Sequence, residues 1–144
     1  MHINKATNYA MRIVIYLMSK NEPVSSRVIG EETGISAPFT QNIMRKLKKN
    51  NLVSVKCGFD GGYSIAKSVD TITVKDILDA MDDKVYVNKE LKEAGVKSEG
   101  TVSKGAGNLM RYYEFVQNSM KNMLSISLKE LGEGNFFLGK VVNA

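Results

Sequence analysis

Ile3, Ala6, Tyr9, Ala10, Ile13 and Leu17 recur at three- and four-residue spacing, a period that predicts an amphipathic helix over residues 5–20, ended by Asn21 and Pro23. The next segment, PVSSRVIGEETGIS, offers Ser25 as a cap, Val24 as a staple for Ile29, and Gly34 as the left-handed residue that stops a short helix. Ser36 is placed to cap the following APFTQNIMRKLKKN, and Pro38 falls in its first turn, where a missing N–H does no harm. Phe39, Ile43 and Leu47 stand at i, i+4 and i+8, which assigns them to a core face; the opposite face carries Gln41 and Arg45, with Pro38 and Lys48 beside them. Two short helices joined by a tight Gly-containing turn, the second polar and basic outside, predict a helix-turn-helix.

The period then changes. Leu52, Val53 and Val55, and after them Tyr63 and Ile65, alternate around the tip Gly58 to Gly62, so two strands enclose a Gly-rich turn in which Gly61 and Gly62 permit positive φ. A hairpin directly after a helix-turn-helix predicts a winged helix. In TITVKDILDAMDD, Thr73 caps a further helix whose apolar stripe is Val74, Ile77, Leu78 and Met81. Residues 84–106 are polar and Gly-containing, a linker or effector region with a short ordered piece near Tyr86 to Leu91. Beyond them Leu109, Tyr113, Val116, Met120 and Met123 step by four, three, four and three, a heptad-like seam on a helix predicted over 107–124. Pairing with a second copy is the natural use of that seam, and packing back on the domain is the alternative. Ser127 and Glu130 form a capping box for a short last helix, and the apolar tail NFFLGKVVNA is expected to dock on a partner subunit. The expected fold is mainly α with a small β-hairpin wing: a winged helix-turn-helix domain over 1–83, the linker, and a dimerisation helix with its tail over 107–144.

Charge narrows the partner. The chain has 144 residues and a net charge of +5, but residues 1–67 hold ten Lys and Arg against four Asp and Glu, while residues 68–144 hold ten against eleven. From Thr33 to Phe59 there is no acid, and Arg45, Lys46, Lys48, Lys49 and Lys56 all lie there. A field of one sign attracts a polyanion such as nucleic acid; a solvated basic face is the plainer reading. With one cysteine and one histidine, no intrachain disulfide is expected, nor a zinc or iron–sulfur site, nor histidine-based catalysis. Asp82 and Asp83 read as a solvated helix end, so an enzyme is not expected, and neither is a cofactor. No apolar run approaches the length of a membrane span and no leader pattern opens the chain, so a soluble cytoplasmic protein is expected.

Four stretches in this order, INKATNYAMRIVIYL, VIGEETGISAPFTQNIMRKLKKNNLV, GGYSIAK and ITVKDILDAMD, resemble the Rrf-two family of bacterial winged-helix transcriptional regulators over about residues 3–83. The seam helix matches the family's dimerisation helix in placement. The resemblance implies a homodimer, a repressor in the main, with one recognition helix per subunit in successive major grooves of a pseudo-palindromic operator and the wing tips in adjacent minor grooves. Gln41 is suited to pair bidentately with adenine, and Arg45 with guanine or a phosphate. Thr40 and Asn42 lie near the helix N-terminus, within reach of bases or phosphates, and Ser36 with the N–H groups after it favours a phosphate. Lys5, Tyr9, Lys46 and Lys56 fit as positioning contacts, and Phe59 as an apolar contact to sugars. For each of them a solvated side chain is the alternative.

Two departures qualify the resemblance. Cluster-binding members carry cysteines between the helix after the wing and the dimerisation helix, whereas Lys84 to Asn108 holds none and no histidine, so sensing through an iron–sulfur cluster is not implied. The family's wing reads Arg-Gly-x-Gly-Gly-Gly-Tyr; here the run is Cys57-Gly58-Phe59-Asp60-Gly61-Gly62-Tyr63, in which a thiol replaces the cation and Asp60 adds a charge that phosphate repels. A weaker or altered wing contact follows. An accessible Cys57 at the DNA surface also admits a thiol-responsive regulator, since oxidation there would add bulk or charge, although a lone cysteine in a short strand is often an inert small hydrophobe. The class alternative is a winged helix that docks proteins without operator binding. The effector, small molecule or protein, stays open.

Overall fold

The computed structural model describes residues 2–87 and 104–134. α1 (Lys5–Met18) starts where Asn4, in an extended conformation, accepts the Thr7 N–H on its side-chain oxygen at 2.8 Å. The Asn4 N–H is itself held by Asp83 at 2.9 Å. Asp83 is therefore more than the solvated helix end expected of it: it ties the start of α1 to the end of the helix that follows the wing. α2 (Ser26–Thr33) is capped by the Ser25 hydroxyl, which accepts from Val28 N, and it stops at Gly34 with φ 71°. α3 (Ala37–Lys49) follows after three residues.

The interior arc of α3 is Thr40, Ile43, Met44 and Leu47. Phe39, expected in the core, is instead 49% exposed. At about 100° per residue it stands roughly 90° from the centre of the buried arc, whereas Thr40 is at that centre. Apolarity favours Phe39 for the interior, but the crossing of α2 and α3 has no room for it. A Cβ on Gly30 would come within 2.8 Å of the Ile35 carbonyl oxygen and 3.1 Å of Thr40 Oγ1. Only a hydrogen faces α3 here, and only a short side chain faces back.

β1 (Val53–Lys56) and β2 (Gly62–Ile65) pair antiparallel, with Val53 opposite Ile65 and Lys56 opposite Gly62. Positive φ falls at Gly58 and Gly62; Gly61 does not need it. Val24, expected only as a staple, makes a bridge to Tyr63, with N–H to O distances of 2.9 and 2.8 Å in the two directions. A side chain at Gly62 would collide with the Val24 backbone, so glycine there lets the loop before α2 lie against the wing.

α4 (Val74–Ala80) opens with a complete capping box between Thr73 and Asp76. α5 (Lys104–Leu124) and α6 (Leu128–Glu133) complete the described chain, α6 behind the expected capping box of Ser127 and Glu130. The turn between them comes back to the winged domain. Thr73 and Ser127 form a bridge flanked by Val74 N to Ile126 O at 3.0 Å and Leu128 N to Ile72 O at 2.8 Å. Leu128 is wholly buried in the same core as Ile13, Ile43 and Ile77. The division at residues 83 and 107 thus follows chain order, while the packing joins the pieces. The ordered piece expected up to Leu91 lies beyond Val87 outside the described residues, as does the tail from Asn135.

Burial of Leu128 makes the C-terminal return part of the winged domain's stability. Leu128→Ala is expected to cost about 2–5 kcal/mol, read as a lower midpoint in urea denaturation followed by circular dichroism. An unshifted midpoint would show the return to be dispensable.

Candidate nucleic-acid interface

Because one arc of α3 is fixed in the core, the other is fixed outward. Gln41, Asn42, Arg45, Lys48 and Lys49 are all exposed on it. Lys46 is half-buried, and its Nζ lies 4.0 Å from Asp82, an exposed pair of small energetic weight that leaves the cation available. Ser36 occupies the N-cap position in an extended conformation and is exposed, but its hydroxyl makes no capping bond.

Thr40 is a correction. Its side chain is wholly buried, and its hydroxyl donates within the turn, to Ile35 O at 3.3 Å or Ser36 O at 3.1 Å. It shapes the helix-turn-helix and presents nothing to a partner. Tyr9 is half-buried and works as a strut: its ring meets Phe39 edge-on, with centroids 6.2 Å apart at 82°, and Lys5 Nζ sits 5.4 Å from its centroid. Lys5 is exposed above it. The wing carries Lys56, Cys57, Phe59 and Asp60, all exposed, and Phe59 stands clear of every neighbour at 105%. Lys56 is the cation the wing tip retains.

On α5, Leu109 and Met123 are exposed, and Tyr113, Val116 and Met120 are half-buried. Tyr112 and Phe115, which the four-three spacing passed over, are also exposed and widen the apolar stripe. Gln117 is buried on the inner flank of the stripe, one turn from Tyr113 and Met120. Its Oε1 accepts Val87 N–H at 2.8 Å and its Nε2 donates to Val85 O at 2.9 Å, which seats the chain after α4 against α5. Beside it an open cleft of about 360 Å³ is lined by Leu78, Asp83, Tyr86, Gln117 and Lys121 among others. A lone amide on the inward side of α5 was the available signal for this clasp; Phe39 and the wide stripe had none beyond their chemistry.

Two short helices with the second presented outward, a hairpin beside them and a long helix with an open apolar stripe define a winged helix-turn-helix protein. The profile described as "Rrf2: Iron-dependent Transcriptional regulator" matches residues 3–134, and the chain belongs to the Rrf2 family. It is 31% identical over 100 residues to a candidate HTH-type transcriptional regulator of Azotobacter vinelandii, covering 68% of this chain and 61% of that one. It is 32% identical over 87 residues to the HTH-type transcriptional regulator IscR of Klebsiella pneumoniae, covering 59% and 53%. The matched stretch thus spans little more than half the length of these relatives. Among solved structures, CymR, titled the global cysteine regulator of B. subtilis, superposes with a TM-score of 0.75 at 20% identity over 93% of this chain and 98% of that one. IscR of T. potens gives 0.69 at 22% identity over 94% and 88%.

The iron in the family's description finds no set of cysteines in this chain to hold it as a cluster. Cys57 is the one cysteine, out on the wing, and His2 the one histidine. Among the described residues no three His, Cys, Asp or Glu side chains converge. A cysteine-ligated cluster has nothing here to hold it. Among the described residues, too, no helix is long and apolar enough to cross a membrane.

The inward hydroxyl of Thr40 separates shape from contact. Thr40→Val is expected to lower stability by about 1 kcal/mol, the net worth of one hydrogen bond, while the folded protein keeps its affinity for duplex DNA. Unaltered stability with reduced affinity would return Thr40 to the contact surface.

Proposed function

We propose that the protein is a homodimeric, sequence-specific DNA-binding regulator of the cytoplasm that represses by occluding a promoter. The observation that carries this reading is the outward arc of α3, where Gln41, Asn42 and Arg45 stand exposed in a stretch that contains no acid from Thr33 to Phe59. A helix fixed on one side by a core and armed on the other with amides and a guanidinium suits the major groove, whose edges present paired donors and acceptors. Gln41 reads adenine and Arg45 reads guanine or anchors a phosphate. Ser36, Lys5, Lys46 and Lys56 add phosphate contacts that set register without reading sequence.

The apolar stripe of Leu109, Tyr112, Phe115, Val116 and Met123 supports pairing with a second copy, because a surface of that length and chemistry is poorly left in water. Two-fold pairing asks for two half-sites about one helical turn, roughly 34–36 Å, apart. At the wing, Asp60 opposes phosphate while Lys56 and Phe59 supply the remaining contacts, so α3 carries more of the specificity. The poor fit of a cluster leaves regulation to an effector of another class.

Selection of sites from a random duplex pool tests the reading; a two-fold symmetric motif is expected, with affinity that falls steeply as salt rises. A protein-docking module would yield no motif and little salt dependence. Arg45→Ala is expected to cost about 1–3 kcal/mol and to relax preference at one operator position; unchanged affinity and profile would remove Arg45 from the interface. Val116→Asp or Met120→Asp is expected to give monomers with no operator binding, and a dimer persisting in sedimentation would refute the seam.

A further inference from the structure

Phe39 is a large apolar ring that the fold holds at the surface. It is the third residue of α3 and is 49% exposed. Nor is it loose: the Tyr9 ring meets it edge-on at 6.2 Å, and Tyr9 is packed against the core from α1. Holding an aromatic outward in this way forgoes the burial that would stabilise it and leaves its exposed side to meet a partner. Its surroundings select the occupant. Asn42 lies about 60° further round the helix, with Arg45 beyond it and Lys5 above Tyr9. Amides and cations around the ring, in a stretch that holds no acid from Thr33 to Phe59, disfavour a second copy of a basic surface and favour a polyanion. On the floor of a major groove the apolar group available to such a ring is the C5-methyl of thymine.

We propose that Phe39 is a specificity-determining residue that contacts a thymine methyl at one position of each half-site. The assignment rests on the DNA-binding reading above and adds to it a base and an atom. Tyr9 is the positioning residue behind it, and Gln41 and Arg45 read hydrogen-bonding edges that Phe39 does not touch.

The test starts from the site enriched from the random pool. Each thymine in turn is replaced by deoxyuridine, which removes the methyl and leaves the pairing edge and the groove's donors and acceptors unchanged. Binding is measured for the unaltered protein, Phe39→Ala and Phe39→Leu, with circular dichroism on each. At one symmetric position deoxyuridine is expected to weaken binding by the unaltered protein about fourfold per half-site, the factor that one buried methyl-sized group contributes. Phe39→Ala is expected to bind both duplexes equally, and Phe39→Leu to retain part of the discrimination. The scan of the unaltered protein needs no variant, so a folding defect in Phe39→Ala cannot mask the result. If no thymine methyl matters to the unaltered protein, or if Phe39→Ala keeps the same sensitivity, the assignment is overturned while DNA binding stands. A pool that yields no enriched site overturns the DNA-binding reading and this assignment with it, so the two failures are distinguishable.

Discussion

The close approach of α2 to α3 governs the rest of the molecule. Gly30 presents only a hydrogen toward the turn, and the buried Thr40 hydroxyl fills the remaining space while donating to one of the turn's own carbonyls, at Ile35 or Ser36. With that contact set, the rotation of α3 about its axis is set too, since Ile43, Met44 and Leu47 fall on the same arc. The outward residues then have no choice of direction. The polar chemistry of Gln41 and Arg45 is thus aimed by an apolar arrangement on the other side of the helix.

The same logic explains why the wing sits where it does. Val24, just before α2, shares two backbone hydrogen bonds with Tyr63, so the hairpin is anchored to the helix-turn-helix by main chain and not by side-chain packing alone. Gly62 keeps that approach open. The outward residues of such a tip, Cys57, Phe59 and Asp60, can be exchanged without disturbing the frame, because none of them contributes to the core. Changed wing chemistry on an unchanged scaffold is the expected outcome.

Much of this was legible in the sequence because the signals are local. Ser25, Gly34, Thr73, and Ser127 with Glu130 each act within a single turn of chain, and all are found where the pattern puts them. What escaped is what depends on residues far apart. Phe39 is more apolar than Thr40, so periodicity prefers it for the interior; the space available is decided by Gly30, on another helix. The burial of Leu128 against Ile72 and the Asn4 to Asp83 bond link chain segments with no sequence mark of their partnership. Of the residues proposed for DNA contact, Gln41 and Arg45 were legible as outward from the helical period, whereas the burial of Thr40 was not.

α5 is tied twice, by the Gln117 side chain to the chain that leaves α4 and by the short ladder around Ser127 and Leu128 to the winged domain just past its end. Mechanically, a rod joined at one point swings, whereas a rod joined at two becomes a brace. Torque applied along α5 is therefore delivered to the body that carries α3 instead of being lost in a hinge.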